Sequence, residues 1–515
     1  MDHLNILILT GNMAYEIVKE YTKPFENSVQ IHKLPLSIAA FLTPRFVLDH
    51  VKKMDLTPYK MIIVPGLMQG STQPIEDALG IPTFKGPRYA SDLPLILDES
   101  LSLSHDIPAD KLLINQGTEE YDKIIKKLME SSSLHPSISI AGYRIGIDYP
   151  PLILAEIVDA PKLSIAQIIS KCKYFLKNGA HLLDIGAVVG QNNAQYLGKV
   201  ITELKSTFSV PISIDSMLPE EIEVAIEAGA DIILSLDAGN MNELKNIPKD
   251  RIVIIIPTNT KEGIFPKVPE KRVNLLIKNI ENARKIGFTN ILADPLLESP
   301  INPGLMKSLE TFILFRKKDP HIPFLFGAGN VTELIDADST GINAILACIA
   351  IELGVSVILT TEYSIKTRKT IDELATALKM GFLASYKKHP PIALPFHLLR
   401  AKNKKKYDQI LADNPDQSLI ITELNESYAP DPIGYFKIWV EQEDHLISVL
   451  HFKNSHPHIL IQGTSAEALG KKIINLNLIQ DPTHILYLGR ELERAEIAMF
   501  LGKDYVQDLK FDEVL

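Results

Sequence analysis

Cysteine is nearly absent from the 515 residues: Cys172 and Cys348 are the two present, both inside apolar patterns of helical spacing. A disulfide framework and a thiolate zinc site are thereby excluded, and a reducing, cytoplasmic setting is expected. Long basic runs are also lacking. With a net charge of -10 and a pI near 5.8, positive charge is concentrated only in KNKKKY at 402–407, read as a solvated linker, so nucleic acid is not an expected partner. No apolar stretch approaches the ~20 residues of a membrane span. The stretch in MDHLNILILTGN has strand length and no basic region before it, unlike a signal peptide, so no membrane partner is expected.

What the chain has is ample apolar material, 46% of residues, enough for about three domains of ~150 residues. Residues 1–140 show two β-branched runs, each ending in a glycine turn that feeds a helical pattern, which predicts a Rossmann-like open α/β domain. Gly11 and Gly66 at those turns admit either a phosphate site or a plain turn. Between 141 and 395 apolar runs alternate with helical patterns: LILAEI (152–157), HLLDIG (181–186), PISIDS (211–216), DIILSLD (231–237), RIVIIIPTN (251–259), ILADP (291–295), PFLFGAGN (323–330) and VSVILTTE (355–362). Eight such strands in some 250 residues predict a central (β/α)8 TIM barrel. Prolines and the lysine-rich stretch then lead to residues 405–515, where an alternating hairpin pattern and two amphipathic helical patterns predict a small α+β domain.

In such a barrel the carboxyl ends of the strands face the active-site mouth. Polar residues stand at every one of these ends: Glu156, Asp184, Asp215 with Ser216, Ser235 with Asp237, Thr258 with Asn259, Asp294, Asn330 and Glu362. Any single one also fits a helix cap or turn. Carboxylates and amides without a histidine pair or thiolate do not make a zinc site, and no metal ligand is assigned. They do suit a polar heterocycle, because an ionised Asp accepts two parallel hydrogen bonds from an amino group and the adjacent ring N–H. A pterin or guanine-like edge is the expected ligand.

PISIDS followed by EEIEVAIEAGADII, together with ILADP, resembles the pterin-binding family of dihydropteroate synthases and pterin-dependent methyltransferases. The resemblance covers about half of the chain and implies that Asp215 and Asp294 bind the pterin, Asp294 on its amino-pyrimidine edge. The three-part chain resembles still more the dihydropteroate synthase-related proteins of organisms that use tetrahydromethanopterin. ILYLGRELERAEIAMFLGKDYVQD is similar to part of the A subunit of tetrahydromethanopterin S-methyltransferase, without an assignable cobalt-ligand histidine.

The departures from the synthases are specific. Their Asn-Asp after strand four is Leu234-Ser235 here, so Ser235 or Asp237 is the expected replacement contact. Their Ser-Arg-Lys cluster after strand seven is Gly329-Asn330-Val331, closer to the Gly-x-Ser-Asn turn of the methyltransferases, with Asn330 facing the pterin. Their Arg-x-His after strand eight is missing, and Lys366, Arg368 and Lys369 are the candidates for a diphosphate clamp. Three functions are therefore compatible with the sequence. The first is condensation of a dihydropterin-CH2-diphosphate with an arylamine, with Lys366 and Arg368 catalytic and Mg2+ as an accessory ion. The second is methyl transfer between a tetrahydropterin and a corrinoid, and the third a non-catalytic pterin carrier or scaffold. Glu298, Asp336 and Asp338 are further pocket candidates, and a homo-oligomer is expected.

Overall fold

The computed structural model of the chain describes residues 6–98, 102–131, 135–392, 394–402 and 431–509. Most of the lysine-rich run and the expected start of the last domain at 405 lie outside these residues. Two compact units are present. One runs to Lys127 and takes in the segment that begins at Ile392; the other comprises Leu128–Pro391 and the C-terminal residues.

The first unit carries four parallel strands where the sequence predicted two: β1 (Ile6–Thr10), β2 (Val29–Lys33), β3 (Met61–Val64) and β4 (Thr83–Lys85), in the order β2-β1-β3-β4. β2 and β4 were missed because they are short or only half-buried, and neither shows a long apolar run. At the Gly11 and Gly66 turns, the Asn12 and Met13 amides are spent on the carbonyls of Leu36 and Ser37, and the Gly66 amide on that of Pro87, so these three N–H groups are not left for a phosphate.

The second unit opens with a hairpin, β5 (Ile138–Ile140) and β6 (Tyr143–Ile145), turned at Ala141 and Gly142, which both have positive φ. The eight predicted barrel strands follow: β7 (Leu152–Ile157), β8 (Leu182–Gly186), β9 (Ile212–Asp215), β10 (Ile232–Leu236), β11 (Ile252–Ile255), β12 (Ile291–Ala293), β13 (Leu325–Gly327) and β14 (Val357–Thr361). All their pairings are parallel, in the order β12-β11-β10-β9-β8-β7-β14-β13. A parallel bridge between Ala293 and Phe324 joins the two ends, closing the barrel.

Alternation along each strand decides which residues fill the barrel. Leu152, Leu154, Leu182, Ile232, Leu234, Ile252, Ile254, Leu292, Leu325 and Val357 form its core, and Ile138, Ile140, Tyr143 and Ile145 of the hairpin pack onto the same cluster. Residues of the other parity, such as Leu183, Ile185, Val253 and Ile358, are also buried, as a barrel wrapped in helices requires. The helices keep the punctuation of the sequence. Ile165–Lys177 starts at a capping box formed by Ser164 and Gln167, Pro219–Glu227 starts on proline and two glutamates, and Pro269–Ile286 stops at Gly287 with positive φ.

Beyond the barrel lie three antiparallel strands, β15 (Tyr435–Glu441), β16 (Leu446–Lys453) and β17 (His456–Gly463), with helices Ala466–Asn475 and Pro482–Leu501. The predicted hairpin is thus a three-stranded sheet; β17 is exposed over its first three residues and then alternates, Ile459 and Ile461 packing on the core between exposed neighbours. Among the described residues no helix is long and apolar enough to cross a membrane.

Candidate active site

The packed layers of the barrel end in acids. Glu156 continues the inward parity of Leu152 and Leu154, Asp184 that of Leu182, and Asp294 that of Leu292. Glu156 and Asp184 are register partners on β7 and β8, and Asp184 is register partner of Ser213 on β9, two residues before Asp215. Carboxylate oxygens of Glu156, Asp184 and Asp215 lie within 4.8 Å of one another. Gly186 makes this approach possible. A Cβ there would stand 3.0 Å from Glu156 Oε1, and Gly186 is the register partner of Asp215, so the missing side chain opens the path between the two acids.

These acids have little to neutralise them. Asp184 is wholly buried, and among the described residues neither carboxylate oxygen has a hydrogen-bond partner of good geometry; the Ser213 hydroxyl and the Ile185 amide only help to favour its charged form. Burial first, and Asp215 second, hold its carboxyl well above the usual range. Burial raises Glu156 too, reinforced by Asp184, Glu333 and Asp159, and it raises Asp215, reinforced by Glu156 and Asp294. Asp294 is pushed up to about 7 by burial, against the pull of the Leu296 amide at 2.8 Å and of the Arg272 guanidinium. Among the described residues, Arg272 is the one basic side chain that these four acids feel. The mouth is acidic, and part of it holds protons at neutral pH.

Other predicted residues serve the loops. Asp237 accepts from the amides of Gly239, Asn240 and Thr260 and from Thr258 Oγ1, and so ties together the turns after β10 and β11. The Ser235 carbonyl receives Asn240 Nδ2 at 3.1 Å, and Asn240, which sequence reasoning did not single out, is itself buried. Asn259 caps a short 3-10 turn through the Glu262 amide, and Ser216 bonds to Glu221. Glu362 accepts from Ile371 N and Tyr174 Oη; burial raises it to about 6 against these bonds.

Asn330 stands on the short helical turn Gly329–Thr332 above Gly327 and donates to the Leu297 carbonyl at 2.8 Å. Its Oδ1 has no partner among the described residues. Glu298 is held by the buried Arg272 at 2.7 Å, which also bonds to the carbonyls of Pro266 and Leu296 and thereby fixes the loop that follows Asp294. Arg272 gave no signal in the sequence, since a basic residue in a helix normally faces water.

The basic residues after strand eight have other partners than the acids. Lys366 pairs with the exposed Asp336 at 2.8 Å. Arg368 pairs with Asp504, and Lys369 donates to the carbonyls of Met499 and Phe500 at the end of the last helix, so both hold the C-terminal domain. Asp338 precedes the helix Ser339–Glu352 at the N-cap position.

A family model described as pterin binding enzyme matches residues 157–360; PterinBD-DUF4346 matches 430–508, and a family of unknown function (DUF6513) matches 4–88. Over 519 residues the chain is 35% identical to the uncharacterized protein MJ0107 of Methanocaldococcus jannaschii, with 98% of each covered. The dihydropteroate synthase of Streptococcus pyogenes is 25% identical over 182 residues, 32% of this chain and 66% of its own. Among solved structures, dihydropteroate synthase from Xanthomonas albilineans in complex with 7,8-dihydropteroate aligns with 50% of this chain and 100% of its own at 17% identity, with a TM-score of 0.40. The chain belongs to one family with MJ0107, and its barrel, over residues 157–360, matches the pterin binding enzyme family.

Proposed function

We propose that the protein is a transferase that holds a pterin in the barrel mouth and condenses a dihydropterin-CH2-diphosphate with an arylamine, in the biosynthesis of tetrahydromethanopterin or a folate-like cofactor. The observation that carries this reading is the group of inward carboxylates at the ends of β7, β8, β9 and β12. Asp294, with Asp215 beside it, takes the amino-pyrimidine edge, where a carboxylate meets two donors at once. The amine nitrogen forms a bond to the methylene carbon as the carbon–oxygen bond to diphosphate breaks. The diphosphate leaves with the electron pair, and the proton of the new ammonium passes to solvent. Positioning and charge neutralisation are all that such a step asks of the chain.

A diphosphate needs positive charge, and Lys366, Arg368 and Lys369 are engaged elsewhere. The neighbouring acids Glu156 and Asp184 fit Mg2+, a hard cation that takes one or two carboxylates and leaves sites for phosphate oxygens. When bound, the ion would neutralise the leaving group; Glu156 and Asp184 would hold it, with Asp215 left to the pterin, and the missing side chain at Gly186 leaves Glu156 room to approach.

The test is diphosphate release from a dihydropterin-CH2-diphosphate and an arylamine phosphate, with and without Mg2+. Release that depends on both the amine and the ion supports the reading, and its absence under all conditions overturns it. Methyl transfer is the second reading, favoured by the Asn330 Oδ1, which has no partner among the described residues, and by Arg272 being the one basic side chain there that the mouth acids feel. Corrinoid spectral changes on adding a methyl-tetrahydropterin would select it. Tight pterin binding with neither reaction would make the protein a carrier.

A further inference from the structure

The N-terminal unit contains a cavity of about 560 Å³, lined by its own residues between Ile8 and Leu93. It lies at the carboxyl ends of the parallel sheet. Its walls include Leu9 and Thr10 of β1, Ile63 and Val64 of β3, the Gly86–Arg88 segment after β4, the Ser37–Ala40 segment after β2, and one side of the helix Tyr15–Thr22. The sheet order β2-β1-β3-β4 places a topological switch point between β1 and β3, because the chain leaves β1 for one side and returns for the other. Open α/β sheets bind their ligands in the crevice that this reversal opens.

The lining determines what can enter. It is mostly aliphatic and aromatic, and Met13, Ile38, Leu67 and Tyr89 are roughly half exposed around it, a surface that gains from being covered. The amides of Asn12, Met13, Gly66 and Met68 are already paired within the fold and are not left to grip a phosphate. One charge reaches the lining. Arg88 is oriented by Asp110, which accepts from both its backbone amide and its Nε, at 3.0 and 2.8 Å. This leaves the two terminal nitrogens of Arg88 without a partner among the described residues, on a side chain 37% exposed. The guanidinium also lies 5.9 Å from the centre of the Tyr89 ring.

We propose that this cavity is a binding site for a small organic anion with an apolar, flat body and a single acidic head, the body entering between β1, β3 and the first helix and the head meeting the terminal nitrogens of Arg88. A cavity of this size suits one drug-sized molecule. An orienting carboxylate on Nε leaves the forked face of a guanidinium for a second acid.

The full chain is titrated with two fluorescent probes that share a body: 1-anilinonaphthalene-8-sulfonate, which carries one acidic head, and N-phenyl-1-naphthylamine, which has none. The expected result is saturable binding of one molecule of each, abolished by Ala14→Trp and by Ala40→Trp, two independent fillings of the cavity. Arg88→Met should weaken the sulfonate about tenfold and leave the neutral probe within about twofold. An added pterin should displace neither. Binding of several probe molecules that survives both tryptophan variants, an equal loss of both probes in Arg88→Met, displacement by pterin, or no saturable binding would each overturn the proposal. Circular dichroism and melting of each variant identify a failure to fold, and the two-probe comparison in Arg88→Met does not depend on the tryptophan variants.

Discussion

Glu156 and Asp184 face each other residue for residue on adjacent parallel strands, both turned into the barrel and neither opposed by a base. Two such carboxyls cannot both be charged at low cost unless something cationic lies between them or a proton is kept. The chemistry of the mouth follows from this pair.

If a divalent ion resolves the conflict, Mg2+ or Mn2+ should raise the melting temperature of the protein, because a ligand bound only by the folded state stabilises it. Asp184→Asn should remove that increment while leaving a folded protein. A thermal titration with each ion checks this, and an unchanged ion response in the variant would refute the assignment.

Gly186→Ala places a methyl group 3.0 Å from Glu156 Oε1 and 3.2 Å from the Ile157 carbonyl. Glu156 has to move away from Asp215, at an overpacking cost of about 1–3 kcal/mol. Weaker Mn2+ binding by isothermal titration is expected, with pterin affinity changed much less. Equal Mn2+ affinity in both proteins would show that the gap at 186 has no such role.

Asp294→Ala deletes the carboxylate proposed to grip the pterin. Loss of a charge-assisted pair costs about 1.5–3 kcal/mol, or roughly 10- to 150-fold in affinity. Pterin binding followed by fluorescence quenching measures it. An unaltered dissociation constant would remove Asp294 from the site.

Raised carboxyls give the ligand-free protein an unusual dependence on pH. Between the ordinary carboxylate range near 4 and the value of about 7 at Asp294, the folded state holds a proton that the unfolded chain has lost. Stability must then fall as pH rises through this interval, and the shifts of Glu156, Asp184 and Asp215 act in the same direction. Asp431 has the opposite sign. Burial pushes it up, but the amides of Gln480, Asp481 and Ile433 and the His484 ring pull it down to about 2, so its contribution is lost only in strong acid. Melting temperatures from pH 5 to 8 should decline, and Asp294→Asn should flatten the decline. A curve rising over this interval would contradict the burial of these acids.

Arg368→Met with Lys369→Met separates two roles. If these residues hold the C-terminal domain, the double variant should expose sites around 499–504 to limited proteolysis while pterin affinity stays within about twofold. If they clamp a diphosphate instead, proteolysis is unchanged and pyrophosphate affinity falls.

Alternating apolar runs and capped helices made the barrel legible along the chain, and ranking residues by their place after each strand found Glu156, Asp184, Asp215 and Asp294. Those signals are local: a period of two residues says which side chains point inward, and the last inward position of a buried strand is where a polar residue becomes informative. The same ranking also selected Asp237, Asn259 and Glu362, whose partners in the structure are turns and a helix end. An acid that caps and an acid that binds look alike in one dimension, because both follow a strand.

Pairing was beyond the sequence. Lys366 and Arg368 follow strand eight as a clamp would, yet Arg368 meets Asp504, 136 residues later, and Lys369 meets Met499 and Phe500. Arg272 looked like a solvated helix residue until the loop after β12 folded over it. The sequence by itself determined the strands, their inward faces and the acids that end them, since these depend on neighbours two to four residues away. Only the tertiary structure decided which charges neutralise one another, because Coulomb interactions and burial depend on distance in space, and barrel closure brings together residues from β7 to β12 that the chain keeps far apart.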